Sequence, residues 1–208
     1  MIGAPGNIPP ADLERPVQDG ALPEDPFALL MAWAPSNDDP VRPTATLATL
    51  DADGLPDART VLLSAVTSEG ASFHTDAGSR KAGQLAERPT AALVVRWEAA
   101  ARQVVLRGGV ERSVARDARD AYARRGRYLQ VLAWMNTPDV ARLPRAEREE
   151  RWAAFDAAHP DLDAPETWAG FVLRPQEMLF WEGSAVAPSR RARYRRRDGG
   201  WALDLLPG

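Results

Sequence analysis

Period-two alternation of apolar and polar positions runs through most of this chain and predicts a protein built mainly of β-strands. The stretches TATLATL and RTVLLSAV flank Asp51-Ala-Asp-Gly54, which reads as a hairpin turn. ASFHTD follows the turn at Ser68-Glu69-Gly70 as a third strand, and TAALVVRWE and RQVVLRGGVERS form a further pair. WAGFVLRPQEMLFWEG and ARYRRRDGGWALDLLP close the chain, the latter as a hairpin turning at Asp198-Gly199-Gly200. Helical patterning appears in DPFALLMAWA, where Asp25 precedes Pro26 at the first helical position. It returns in SRKAGQLAERP, ended by Pro89, and in VARDARDAYARRG and PRAEREERWAAFDAAH, both with clear stop signals. Strands joined by tight turns, with helices inserted at three places, predict an antiparallel barrel with helical decorations, of mainly β (α+β) class. Residues 1–24 are rich in Pro and Gly, show no periodicity and read as a flexible leader, leaving 25–208 as a single domain.

Composition narrows the function classes. A chain of 208 residues with 45% hydrophobic and 26% charged residues can bury its own core. A net charge of −3 argues against nucleic-acid or membrane partners. No cysteine is present and only His74 and His159 could serve as imidazole ligands, so no metal site is expected. No apolar run is long enough to span a bilayer and no signal-peptide pattern opens the chain, so the expected location is the cytoplasm. Of the 26 basic residues, only Lys81 is a lysine.

That lysine lies in Gly78-Ser79-Arg80-Lys81, between a predicted strand and a predicted helix. A helix start offers unpaired N–H donors and a partial positive charge. Ser79 can cap the helix or bind an anion, and Arg80 and Lys81 add full charges, so the stretch suits a phosphate. On the strand RTVLLS, Arg59, Val61 and Leu63 share one face and Thr60, Leu62 and Ser64 the other. A part-buried Arg59 needs an anionic partner, either Asp57 or Asp76 or a bound phosphate. The arginines of RRARYRRR read as a solvated strand.

Four motifs in register, RTVLLS, FHTDAGSRKAGQL, RQVVLRG and FWEG, resemble the pyridoxamine 5′-phosphate oxidase family of FMN-dependent split-barrel enzymes, from about Asp25 to the C-terminus. The resemblance implies FMN as cofactor, a homodimer with the flavin between subunits, and a small-molecule substrate. It places Arg59 and Thr60, Val61, Leu62, Leu63 and Ser64 along the FMN phosphate and the isoalloxazine edge. His74 and Thr75 match an aromatic–Thr pair touching the flavin, with His where Tyr is usual. Ser79 joins Arg80 and Lys81, the last two matching phosphate ligands. Gln103 matches a glutamine bonded to the flavin ring, Trp181 a tryptophan beside it, and Arg191 a nearby arginine.

On the substrate side the match thins. The lysine that follows the family's first strand motif is Ser64 here. A Tyr…Arg…Ser triplet falls on Ala121, Arg125 and Leu129, leaving Arg125 as the matched substrate-binding residue. An Arg-x-His pair falls on Ala187 and Ser189, with Arg190 close by, and a Gln-Ser pair on Pro138-Asp139. No residue stands out as a catalytic acid or base. The expected activity is hydride transfer between flavin and a small, aromatic, non-phosphorylated molecule. Flavoenzymes of phenazine biosynthesis resemble the family too, some with Ser at the position of Ser64, although they keep an Arg-x-His pair. A genuine pyridoxamine/pyridoxine 5′-phosphate oxidase and a flavin-binding protein without turnover are the alternatives.

Overall fold

The computed structural model describes residues 22–39 and 41–208. Most of the leader read over 1–24 lies outside the described residues. The strands are β1 (Thr44–Leu50), β2 (Pro56–Thr67), β3 (Gly70–Asp76), β4 (Thr90–Trp97), β5 (Arg102–Arg112), β6 (Trp168–Glu182), β7 (Arg190–Arg197) and β8 (Gly200–Pro207). The helices are α1 (Pro26–Trp33), α2 (Arg80–Glu87), α3 (Ala115–Ala123), α4 (Arg127–Met135), α5 (Pro138–Ala141) and α6 (Arg145–Ala158).

The strands form one sheet in the order β3-β2-β1-β4-β5-β6-β7-β8, and a further β3–β6 pairing closes the first six into an antiparallel barrel. This is the antiparallel α+β barrel expected from the strand pattern, and the split-barrel fold that the resemblance implies. Local chemistry explains the elements. The Asp25 carboxylate accepts the Phe27 N–H at the start of α1, with Pro26 in the first turn. Between β1 and β2, Asp51 Oδ1 accepts the N–H groups of Asp53 and Leu55, while Gly54 takes φ +83°.

The described residues divide into two compact units, 22–39 and 41–73 with 84–111 and 172–208, and 74–83 with 112–171. The first unit holds the barrel core. Leu47, Leu63, Phe73, Leu93, Leu106 and Leu173, one from each barrel strand, are all fully buried. A second cluster packs α1 on the sheet: Trp33 meets Trp97 and Phe180 edge-on at 6.1 and 5.2 Å, and Phe180 meets Tyr194 at 5.8 Å. Gly70 sits where β3 crosses β6. Its φ is +147°, and a Cβ there would lie 1.9 Å from the Leu173 carbonyl oxygen, so no side chain fits.

The second unit carries α3 to α6. Arg127 fastens it, bonding the Asp156 carboxylate at 2.7 Å and the carbonyls of Asp156, His159 and Pro160. The helices α4 and α5 go beyond the three helical insertions predicted. RYLQVLAWM carries Tyr, Val and Trp, which favour strands, and Gly126 before it reads as a helix stop. In the fold Gly126 instead precedes the first residue of α4, and Val131 is fully buried.

Candidate functional site

The α2 start gathers donors. Ser79 N–H bonds the Asp76 carbonyl, and the Ser79 carbonyl receives the N–H groups of Ala82 and Gly83, turning the chain from β3 into the helix. The Asp76 carboxylate takes the Gly78 N–H at 2.7 Å. Lys81 Nζ donates to Thr75 Oγ1 at 2.9 Å, and Thr75 and Ser79 hydroxyls lie 3.3 Å apart. Thr75, Ser79 and Lys81 are therefore brought together, and Arg80 stands exposed beside them. Two hydroxyls, an ammonium and the first-turn N–H groups of a helix suit the oxygens of a phosphate.

Arg59 belongs to a different network, in the first unit. Val61 and Leu63 are buried on its face and Thr60 is exposed on the other, as the alternation requires. The Arg59 guanidinium bonds Asp57 at 2.7 Å, Thr49 Oγ1 at 2.5 Å, Gln84 Oε1 at 2.9 Å and the Leu47 carbonyl at 3.4 Å. Gln84 completes the ring by accepting from Thr49 at 2.6 Å and donating to Asp57 at 3.0 Å. Of the two anionic partners the sequence offers, Asp57 is the one engaged. The four contacts occupy both terminal nitrogens, leaving Nε as the donor that remains. Thr49 and Gln84, 2% and 6% exposed, were not singled out in the sequence. The available signal was Gln84's place one turn after Lys81 on α2.

Gln103, Trp181 and Arg191 lie on three neighbouring strands. Trp181 and Arg191 are directly paired across β6 and β7. The Gly183 N–H bonds the Ala101 carbonyl, which sets the β5–β6 register so that Gln103 and Trp181 each stand two residues in from that bond. Thus all three form one row across β5, β6 and β7, with Gln103 and Trp181 half-buried. A groove of about 780 Å³ elsewhere on this unit touches Thr49, Ala92, Arg107, Glu177 and Arg195. None of the predicted cofactor residues lines it.

The second unit holds an aromatic and cationic stack. His74 lies parallel to Trp168, centroids 5.7 Å apart at 9°. The Arg125 guanidinium sits 4.6 Å from the centroid of the same indole, and Tyr122 meets it edge-on at 5.7 Å. Trp168 Nε1 donates to the Ala118 carbonyl at 3.0 Å. Burial, with Arg125 and Arg124 nearby, lowers the His74 pKa to about 4, so the imidazole is neutral at neutral pH. Burial also lowers Arg125 to about 10, leaving it a cation. Among the described residues no carboxylate or hydrogen-bond acceptor pairs with its guanidinium. Arg127, by contrast, is tied to Asp156. Leu129 and Ser64 are half-buried, while Ala121 is buried. Trp168 and Tyr122 are site residues the sequence did not reveal. Trp168 stands 43 positions from Arg125 and reads locally as an ordinary strand residue.

Residues 40–181 match the family model described as Pyridoxamine 5′-phosphate oxidase. A pyridoxine/pyridoxamine 5′-phosphate oxidase of Salinibacter ruber is 38% identical over 191 residues, covering 88% of this chain and 89% of that protein. Among solved structures, PhzG from Burkholderia lata, in complex with tetrahydrophenazine-1-carboxylic acid, matches with TM-score 0.75 at 23% identity over 98% of each chain. A pyridoxamine 5′-phosphate oxidase-related, FMN binding protein from Nostoc punctiforme matches with TM-score 0.54 at 22% identity, over 78% of this chain and 87% of that one. Both structures share the fold. No helix among the described residues is long and apolar enough to cross a membrane. On the match over 40–181 and the identity to the Salinibacter protein, the chain belongs to the pyridoxamine 5′-phosphate oxidase family.

Proposed function

We propose that this protein is an FMN-dependent oxidoreductase acting on a small aromatic molecule that carries one anionic group. The observation that carries the cofactor assignment is the cluster of Lys81, Thr75 and Ser79 at the start of α2, within 2.9 and 3.3 Å of one another. Lys81 and the two hydroxyls would hold the FMN phosphate, with Arg80 adding charge from the exposed side. The resemblance also implies a place for Arg59 along the FMN phosphate. Gln103 would hydrogen-bond the flavin ring, with Trp181 and Arg191 beside it; the resemblance implies that this row comes from a second copy of the chain. FMN supplies hydride acceptance when bound. The protein's own part would be to orient the substrate against the ring, with Arg125 holding its anion.

The substrate's class is read from the positions that the resemblance aligns with the family's substrate contacts. Ser64, Ala121, Leu129, Ala187 and Ser189 bring no charge where the family's phosphate and pyridine ligands stand. A single guanidinium over an indole fits a carboxylate on a fused aromatic frame, the class of molecule bound by the Burkholderia PhzG. The name borne by the Salinibacter relative favours a second reading, oxidation of pyridoxine or pyridoxamine 5′-phosphate.

One experiment decides between them. FMN-loaded protein is mixed anaerobically with pyridoxine 5′-phosphate, pyridoxamine 5′-phosphate or a dihydrophenazine carboxylate, and bleaching of the flavin's visible band is followed. Bleaching by the carboxylate alone is the expected result. Turnover of either phosphate at about 10⁴ M⁻¹s⁻¹ or above would establish the vitamin B6 reading instead. No bleaching by any of the three would leave a flavin-binding protein without turnover.

A further inference from the structure

The stack around Trp168 has a feature that binding of an anion by Arg125 does not require. Trp168 is held from three sides: the Ala118 carbonyl takes its Nε1–H at 3.0 Å, His74 lies flat against it, and Tyr122 closes its edge. Its position is further defended by Gly170, two residues on. A Cβ at Gly170 would stand 2.1 Å from Ser113 Oγ and 2.7 Å from His74 Nε2, so a side chain there would push His74 out of the stack. Arg125 itself follows the end of α3 and precedes Gly126, a short connection with no hydrogen bond to its guanidinium among the described residues. An arginine side chain has many rotamers open to it when nothing holds its head group. Left unrestrained, most of its rotamers would not aim at a substrate.

We propose that Trp168 is the positioning residue for the substrate's anion, its fixed indole face holding the Arg125 guanidinium in one orientation. This rests on the reading of Arg125 as the anion's partner. A guanidinium attracted to a ring face keeps its edge donors free for a planar or tetrahedral anion. An ion pair with a protein carboxylate would consume them. The arrangement thus pre-organises the cation without neutralising it, and affinity rises because the ordering cost is met before the ligand arrives. The neutral His74 suits the same end, since a second cation on the indole would compete with Arg125 for the ring.

The test uses FMN-loaded protein and matched probes that cannot be oxidised at the flavin: 4-deoxypyridoxine 5′-phosphate against 4-deoxypyridoxine, and phenazine-1-carboxylate against phenazine. Dissociation constants are measured by calorimetry for wild type, Arg125→Gln, Trp168→Leu and Trp168→Phe. The pair that shows the larger anionic preference identifies phosphate or carboxylate as the bound group. Arg125→Gln should lose that preference almost entirely. Trp168→Leu should weaken the anionic probe about tenfold and its neutral partner less than about threefold. Trp168→Phe keeps a weaker ring face and should fall between, at about threefold. A merely structural role would weaken both members of a pair alike. If Arg125→Gln binds the anion as wild type does, the reading of Arg125 fails and this inference with it. If Arg125→Gln loses the anion but Trp168→Leu does not, the positioning role alone is overturned. Should Trp168→Leu not fold, wild-type affinity in Trp168→Phe overturns the role and the threefold loss upholds it.

Discussion

Lys81 is a lone lysine among arginines, and its ammonium is pinned to the Thr75 hydroxyl at the mouth of α2. If it holds the FMN phosphate, Lys81→Ala should weaken FMN by about ten- to a hundredfold, the range for one charge-assisted contact. Quenching of flavin fluorescence on titration into apoprotein measures this, and unchanged affinity would remove Lys81 from the site. His74 supplies a second test. Its folded pKa of about 4 lies below the ordinary 6.5, so the unfolded chain binds the proton more readily. Stability contributed by neutral His74 is therefore full above pH 6.5 and lost as pH falls toward 4. The loss amounts to about 3 kcal/mol at most. Urea unfolding between pH 7 and 4.5 should show this decline in wild type and a shallower one in His74→Phe. The alternation on β2 made Arg59's face legible, because Val61 and Leu63 repeat at period two. Which acceptors close around Arg59 was not legible, because Thr49 and Gln84 approach it from other elements and no local pattern marks them.

At the scale of elements, α2 has two tasks. Its first turn presents Lys81, and three residues later Gln84 is buried against β1 and β2 through Thr49, Arg59 and Asp57. Gln84→Leu deletes a double acceptor and a donor at once and leaves the buried Thr49 O–H without its acceptor. A loss of about 2–4 kcal/mol in chemical denaturation is expected. A loss under about 0.5 kcal/mol would show that the ring contributes little. The strands and four of the helices were readable from periodicity and punctuation, since turns such as Asp51–Leu55 are written in local Asp and Gly chemistry. The helix α4 was not, because Gly126 just before it reads as a helix stop; in the fold it buries Val131 and ties Arg127 to the end of α6.

At the scale of the whole molecule, the resemblance implies two copies around the flavin, because the row Gln103–Trp181–Arg191 and the α2 start are needed together. Light scattering of FMN-loaded protein should report about twice 22.7 kDa. A monomer with full FMN occupancy would contradict the shared site. The barrel class was legible in the strand order along the chain. Its closure was not, because β3 and β6 carry no signal that each seeks the other across two intervening strands and five α-helices.

That closure has a consequence in time. Gly70 and Leu173 meet backbone to backbone, yet stand 103 residues apart (173 − 70). Every other barrel pair except β5–β6 can zip from short or moderate loops, whereas these contacts must wait for distant chain, and long-range contacts form slowly. During synthesis, a sheet assembled from β1 to β5 would have bare edges at β3 and β5 while residues 113–173 are made. At about 5–20 residues per second those 61 residues take about 3–12 seconds. The nascent chain spends that interval with two open strand edges, each a template for pairing with a neighbouring copy. Yield of native protein should therefore fall as translation slows or as polysomes crowd, a vulnerability set by the order in which the barrel's strands are written.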